Sequence, residues 1–143
     1  MSYQPKELTE KFVQAYRSLS KENVAMLEDV YHQDVVFEDP AHRMEGWQNL
    51  EGYFDRLFEN VSSCAFDIHE TVEQGNVAYV QWTMHFSHPR ISNGEIRQVK
   101  GCSRLEFAEG KVQCHRDYFD MGEMIYEGIP LLGNVVRHLK ARL

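Results

Sequence analysis

Basic residues, long apolar runs and an apolar leader are scarce or missing in this sequence. The 15 Lys and Arg are outnumbered by 22 Asp and Glu, which gives a net charge of -7 at pH 7. Because nucleic acids and anionic membranes bind basic surfaces, we expect no nucleic-acid partner. No run approaches the roughly 18 apolar residues of a membrane-spanning helix. The polar start MSYQPKELTEK shows no apolar region of a secretory signal, so we expect a cytoplasmic protein.

Cysteine is rare as well, and the common metal and phosphate motifs are missing. Cys64, Cys102 and Cys114 are odd in number and far apart, which fits neither a disulfide framework nor a CxxC metal site. The seven histidines form no HxH, HxxxH or HExxH pattern. A Gly-rich phosphate loop and a GxSxG nucleophile elbow are also absent. We therefore expect reduced thiols, no metal and no cofactor.

The chain has the length and composition of one globular domain. Its 143 residues, 43% of them hydrophobic, can bury one sizeable core and leave little room for a second. The sequence contains no internal repeat, low-complexity segment or linker. We interpret residues 1–143 as one domain, with a core at about 5–122 and a C-terminal helical extension at about 123–143.

Helical periodicity dominates the first third of the chain. Apolar residues recur at helical spacing over 5–19, 23–31 and 45–61. A short strand between the second and third helices stops at Asp39. Pro40 disfavours helix at the residue before it and cannot donate to a sheet, so the strand ends there.

Period-two alternation begins near Cys64 and continues almost to the end of the core. It predicts four long strands with turns at 74–76, 92–94 and 109–110, the first strand placing Ile68 and Val72 on one face. Strands joined in this order by tight turns form an antiparallel meander. An amphipathic helix follows from Pro130 to Leu143. The predicted fold class is α+β, with a sheet packed on N-terminal helices and an extra C-terminal helix.

The sequence resembles the nuclear transport factor 2-like superfamily in three segments: AYRSLSKENVAMLEDVYHQDVVFEDP, GCSRLEFAEGKV and HRDYFD. Within that superfamily it resembles the SnoaL-like domains, relatives of polyketide cyclases and ketosteroid isomerases. The resemblance implies a cone-shaped fold, in which a curved antiparallel sheet and helices enclose an apolar pocket. It also implies a homodimer.

Ketosteroid isomerases supply one set of site residues through this resemblance. Asp39 matches their catalytic base, and Tyr16 matches their oxyanion-hole tyrosine. Ser103 stands where they have a protonated aspartate. A serine hydroxyl can donate a hydrogen bond but lacks the acidity of that group, which argues against steroid isomerisation proper.

Limonene epoxide hydrolase supplies a second set. Its last strand is similar to Arg116-Asp117-Tyr118-Phe119-Asp120, so Asp117 matches one of its catalytic aspartates. Its arginine and second aspartate align with Trp82 and Met84. Two apolar side chains cannot polarise an epoxide or activate water, and we therefore expect no epoxide hydrolysis of that type.

Asp39 has two interpretations from the residues alone. It shares a face with Val35 and Phe37, so a surrounding apolar cavity would desolvate its carboxylate and favour a role as general base. Tyr16 or Ser103 could then hold a developing enolate oxygen. Alternatively, an aspartate before proline ends a strand and caps the following turn through its side chain.

His115 and Asp117 also allow two interpretations, since both lie on the face of Phe119. They could relay a proton or bind a polar ligand group. Equally, they could hydrogen-bond each other or Tyr16 and lock the pocket floor. His42 follows Pro40 and belongs either to the pocket mouth or to the surface.

The sequence predicts a pocket for a small, mostly apolar or carbonyl-containing molecule. If the protein is an enzyme, we expect cofactor-independent isomerisation or cyclisation, with Asp39 as base and Tyr16, His115 and Asp117 as donors. The alternative is a non-catalytic ligand-binding or dimerisation module of the same fold. The expected ligand-binding residues are Trp47, Phe58, Trp82, Met84, Ser103 and Phe119.

The C-terminal helix has three candidate roles. It could close the pocket mouth, pack on a partner subunit, or touch an anionic membrane through its basic side. The acidic charge of the whole chain makes membrane contact the least favoured of the three.

Overall fold

The computed structural model describes residues 4–143, in which helices pack against one curved, open sheet of six strands. This arrangement confirms the predicted α+β class. Residues 1–3, at the polar start of the chain, lie outside the described part. The helices are α1 (Pro5–Ser18), α2 (Trp47–Asn60), α3 (Met121–Met124) and α4 (Leu132–Ala141), with 3-10 turns at Val24–Asp29, Ser92–Gly94 and Tyr126–Gly128. The strands are β1 (Tyr31–Glu38), β2 (Arg43–Glu45), β3 (Ser63–Gln74), β4 (Val77–Ser87), β5 (Arg97–Ala108) and β6 (Lys111–Phe119).

The sheet has the strand order β2-β1-β6-β5-β4-β3. Strands β3 to β6 form the predicted antiparallel meander. Strand β1 runs parallel to β6 with Glu38 opposite Arg116, so the sheet is mixed rather than purely antiparallel. Parallel strands run toward the same edge of the sheet. Asp39 and Asp117, which come directly after Glu38 and Arg116, therefore lie on neighbouring strands near that edge.

Helices α1 and α2 cover the inner face of the sheet because each carries an apolar stripe. Pro5 fits the first turn of α1, where a backbone N–H would have no helical acceptor. The buried side chains recur three or four positions apart, which is the spacing of one helix face. In α1 they are Leu8, Thr9, Phe12, Val13 and Tyr16, and in α2 they are Trp47, Leu50, Phe54 and Phe58.

The inner face of β4 and β5 completes the core, and one glycine shapes it. Trp82 pairs with Gly101 across the two strands. A Cβ atom at position 101 would overlap the ring of Trp82. Glycine therefore lets the indole lie over β5, where its N–H reaches Ser103.

Three local predictions differ from the structure. The segment predicted as a helix over 23–31 is a 3-10 turn that ends at Asp29, and Tyr31 already begins β1. A β-bulge between Ile68 and Glu70 turns the second half of β3 over, so Val72 pairs with Tyr79 on the outer face. The short elements β2 and α3 were not predicted.

The C-terminal segment is held by polar contacts of Asp120 and Lys140, while Met124 and Ile125 pack against the core. Asp120 caps α3 by accepting a hydrogen bond from the Gly122 backbone N–H at 2.8 Å, and it also binds the Lys140 ammonium. The Lys140 contact, with help from the cap, lowers the pKa of Asp120. Lys140 reaches Glu127 as well, at 3.0 Å. The apolar stripe of α4 stays exposed at Leu132, Val135 and Leu139.

Within residues 4–143 no helix combines the length and hydropathy needed to cross a membrane. The single-domain organisation stays a prediction.

Candidate functional site

Three of the four predicted catalytic residues meet in the core, joined by a fourth that the sequence did not single out. The Tyr16 and Tyr31 hydroxyls lie 2.6 Å apart. The Tyr31 hydroxyl lies 2.8 Å from His115 Nδ1, and His115 Nε2 lies 2.6 Å from Asp117 Oδ1. Tyr31 was predicted as the end of a helix, so no pattern placed its side chain beside His115.

The chain of hydrogen bonds continues beyond Asp117 onto β4 and β5. The Ser103 hydroxyl donates to Asp117 Oδ1 at 2.5 Å, and the Trp82 indole N–H donates to Ser103 Oγ at 2.9 Å. An ionised carboxylate only accepts hydrogen bonds, so His115 Nε2 donates to Asp117, and a neutral imidazole then accepts from the Tyr31 hydroxyl at Nδ1. Every bond in the chain then points toward Asp117.

Burial sets the protonation of the two tyrosines. It raises the pKa of Tyr16 and of Tyr31 well above the usual value, and the negative charge of Asp117 raises both further. Each hydroxyl therefore keeps its proton and can serve as a donor. The hydrogen-bond chain gives partners to polar groups that would otherwise be buried without them. Burying a polar group without a partner costs free energy.

Asp39 lies apart from this chain, at the turn that follows β1. Its side chain is 3% exposed. Asp39 Oδ1 accepts hydrogen bonds from the backbone N–H groups of Ala41 and His42, at 2.8 and 2.7 Å. Tyr53 donates its hydroxyl to Oδ2 at 3.1 Å, and His42 Nδ1 lies 3.2 Å from Oδ1. Asp39 thus caps the turn after Pro40, and its neighbours are His42 and Tyr53 instead of Tyr16.

A cavity of about 830 Å³ opens beside α2. The 41–44 segment, the end of β4 and the segment after α3 form its other walls. His42 and Tyr53 line it with Asp39 directly behind them. Burial and the charge of Asp39 raise the pKa of Tyr53, so its phenol also stays protonated. The apolar wall is formed by Met44, Leu57, Val61, Met84, Phe86 and Ile125.

Of the predicted ligand-binding residues, Met84 lines this cavity. Trp47 stacks on Tyr31 with ring centroids 5.9 Å apart, and Trp82 lies against Phe119 at 6.2 Å. Within the described residues, the lining includes none of the predicted catalytic side chains. Those catalytic assignments stay predictions. The cavity residue Tyr53 was missed because its helical position alone marks it as an ordinary core aromatic.

The cavity offers neither a reactive thiol nor, among the described residues, a cluster of metal ligands. Cys64 contributes to the lining, and burial raises the pKa of its thiol to about 12, so the nucleophilic thiolate is not populated near neutral pH. Cys64, Cys102 and Cys114 are free. Over residues 4–143 no three His, Cys, Asp or Glu side chains cluster as metal ligands would.

The cytoplasmic location stays a prediction.

Comparisons with known proteins agree on the fold. A family model described as a SnoaL-like domain matches residues 10–115. A Catenulispora acidiphila protein with a ketosteroid isomerase-like fold has a TM-score of 0.74 at 14% identity, covering 87% of this chain and 94% of that one. An NTF2-like protein of unknown function from Burkholderia pseudomallei has a TM-score of 0.73 at 15% identity, covering 86% and 95%.

A third structure, an LEH-like epoxide hydrolase of M. tuberculosis, has a TM-score of 0.68 at 20% identity and covers 93% of this chain and 96% of that one. At these identities the likeness concerns the fold alone. No curated relative matches the sequence.

Proposed function

This chain belongs to the SnoaL-like domain family, and on that premise we propose that it binds a small, mostly apolar molecule in the cavity beside α2. The observation that carries the proposal is the cavity itself. Its volume of about 830 Å³ lies within the range of roughly 300–1,000 Å³ that is usual for small-molecule sites. Its lining joins an apolar wall to several polar side chains, of which Tyr53 and His42 are fixed by hydrogen bonds to Asp39.

Filling the cavity tests this proposal. A neutral fluorescent probe, N-phenyl-1-naphthylamine, should bind the protein with an increase in fluorescence. In Leu57→Trp the larger side chain occupies the cavity, and we expect probe affinity to fall about tenfold or more, since losing some 50–60 Å² of apolar contact costs about 1.4 kcal/mol. The measurement is a fluorescence titration of each variant.

Leu139→Trp is the matched control, because Leu139 is 59% exposed on α4 and does not line the cavity. It should bind the probe as the wild type does. Thermal unfolding shows whether both variants are folded. Equal loss of binding in the two variants, or no probe binding at all, would contradict the proposal.

Cofactor-independent proton transfer with Asp39 as base is the second candidate function. The observation that favours it is the position of Asp39 directly behind two cavity side chains, His42 and Tyr53. If the Tyr53 O–H turns from Asp39 to a ligand carbonyl oxygen, Oδ2 becomes free to accept a proton. The C–H bond next to the carbonyl breaks, Asp39 takes the proton, and Tyr53 stabilises the enolate oxygen.

Deuterium exchange detects this step without knowledge of the product. The protein is incubated in heavy water with a panel of ketones and keto esters, and NMR follows the exchange of hydrogens next to the carbonyl. We expect at least one compound to exchange faster than in buffer. Asp39→Asn should lower that rate about 100-fold or more, because general-base catalysis contributes about 10²–10⁴-fold.

Asp55→Asn serves as the control, since Asp55 is exposed on α2 outside the cavity lining. Exchange that never exceeds the buffer rate, or that survives in Asp39→Asn, would leave only the binding function.

A further inference from the structure

The cavity beside α2 carries an unusual set of charged residues for this chain. Its lining includes two arginines and two histidines, whereas no Asp or Glu of the described residues lines it. The whole chain has 22 acidic and 15 basic residues. The arginines of the lining favour negative charge over positive charge there, and the Asp39 carboxylate behind the lining is held by His42, Tyr53 and its own turn. The four basic side chains are His42, Arg43, Arg56 and His88.

Arg56 is the arginine most available to a ligand. Arg43 already donates to Glu45 at 2.8 Å. Arg56 is exposed, and none of the ion pairs among residues 4–143 includes its guanidinium. His42 directs Nδ1 toward Asp39, so this nitrogen is already engaged. Exposed and without an ion pair, the Arg56 guanidinium can offer its N–H donors to a ligand at the cavity.

The spacing of α2 residues explains where the guanidinium lies. Gln48, Gly52, Arg56 and Asn60 follow one another at intervals of four, so they form one line along the helix, and all four line the cavity. A Cβ atom at Gly52 would lie 3.3 Å from Arg56 Nη1. The guanidinium thus extends back along the helix over the Cα atom of Gly52, which carries no side chain. The neutral amides of Gln48 and Asn60 lie at the two ends of this row of residues.

We propose, on the basis of the proposed function, that the ligand carries an anionic carboxylate at one end. Arg56 binds this carboxylate at the cavity mouth, and the apolar body of the ligand packs against Leu57, Met84 and Phe86. A guanidinium matches a carboxylate with two parallel N–H···O bonds, which adds orientation as well as affinity. Gln48 and Asn60 add neutral donors without offsetting the charge.

A pair of competitors that differ only in charge tests the proposal. The probe N-phenyl-1-naphthylamine is displaced either by 2-naphthoate or by methyl 2-naphthoate, which share one aromatic body. We expect the carboxylate to displace the probe at a concentration about tenfold lower than the ester, because a hydrogen bond to a charged group is worth a factor of this size. In Arg56→Gln the two competitors should displace the probe at equal concentrations, each compared with the probe affinity measured for that variant.

Arg142→Gln makes the same change in net charge at an exposed residue outside the cavity lining, and it should retain the preference. An ester that competes as well as the carboxylate, or a preference that survives in Arg56→Gln, overturns the anionic-ligand inference alone. Absence of probe binding to the wild type, or probe binding unaffected by Leu57→Trp, overturns the proposed cavity function and this inference with it.

Discussion

At the scale of single residues, Tyr31 holds the buried hydrogen-bond chain together, since its hydroxyl contacts both Tyr16 and His115. Tyr31→Phe keeps the ring and its stacking but leaves both partners without that contact. Because a buried polar group left unsatisfied costs about 1–3 kcal/mol, we expect the free energy of unfolding to fall by about that amount. Urea denaturation monitored by circular dichroism measures the change.

Tyr126→Phe is the matched control for this prediction. Tyr126 is 40% exposed, so water replaces its hydroxyl contacts at little cost. Its free energy of unfolding should remain within about 0.5 kcal/mol of the wild type. If Tyr31→Phe proves as stable as this control, the hydrogen-bond chain contributes nothing to stability.

Most residues of the buried hydrogen-bond chain were identified from the sequence, but the contacts between them were not. Tyr16 and Asp117 were identified from a family resemblance, which placed Tyr16 with Asp39, and His115 was identified because it shares a strand face with Asp117. In the structure Asp39 binds Tyr53 and the backbone of its own turn instead. The turn contacts follow from Asp-Pro chemistry and were predicted as one alternative, whereas the Tyr53 contact depends on where α2 packs. Tertiary packing is not encoded in local spacing.

At the scale of elements, periodicity predicted the long helices and strands well and the junctions poorly. Helix α1 and strands β4 and β5 have regular apolar patterns, and their buried residues lie on the predicted faces. In β6 the buried Val112 and His115 are three residues apart, so the alternation is not regular there. In β3 the bulge after Ile68 breaks the alternation, so Val72 faces outward with Tyr79. A bulge adds one residue to one strand and leaves no mark in composition. The three-residue β2 is too short to show any period.

The segment around Tyr31 shows why the second helix was overestimated. Its apolar residues fit a helical spacing, but the ordered turn is a 3-10 helix that stops at Asp29. Tyr31 instead pairs with Val112 of the parallel strand β6, and it therefore belongs to β1. Sheet contacts formed far along the chain therefore override a weak local propensity.

At the scale of the whole molecule, two apolar surfaces are exposed among residues 4–143. One lies on the outer face of the sheet, where Val72, Tyr79 and Tyr118 are 55%, 46% and 53% exposed. The other is the stripe of α4 that includes Leu139. The outer face rests on four strands paired along their length, whereas the 3-10 turn at Tyr126–Gly128 is the main contact of α4. A rigid surface loses less conformational freedom on association, so we propose that a homodimer forms through the sheet.

A carboxylate introduced on each surface distinguishes the two candidate dimer interfaces. Tyr118→Glu places a carboxylate in the proposed interface, where desolvation without a partner is costly, and we expect the dimer dissociation constant to rise about tenfold or more. Leu139→Glu is the matched control on α4 and should leave the dimer intact. Sedimentation velocity across a range of protein concentrations measures both. A wild type that stays monomeric at every concentration, or a dimer weakened only by Leu139→Glu, would rule out association through the outer face of the sheet.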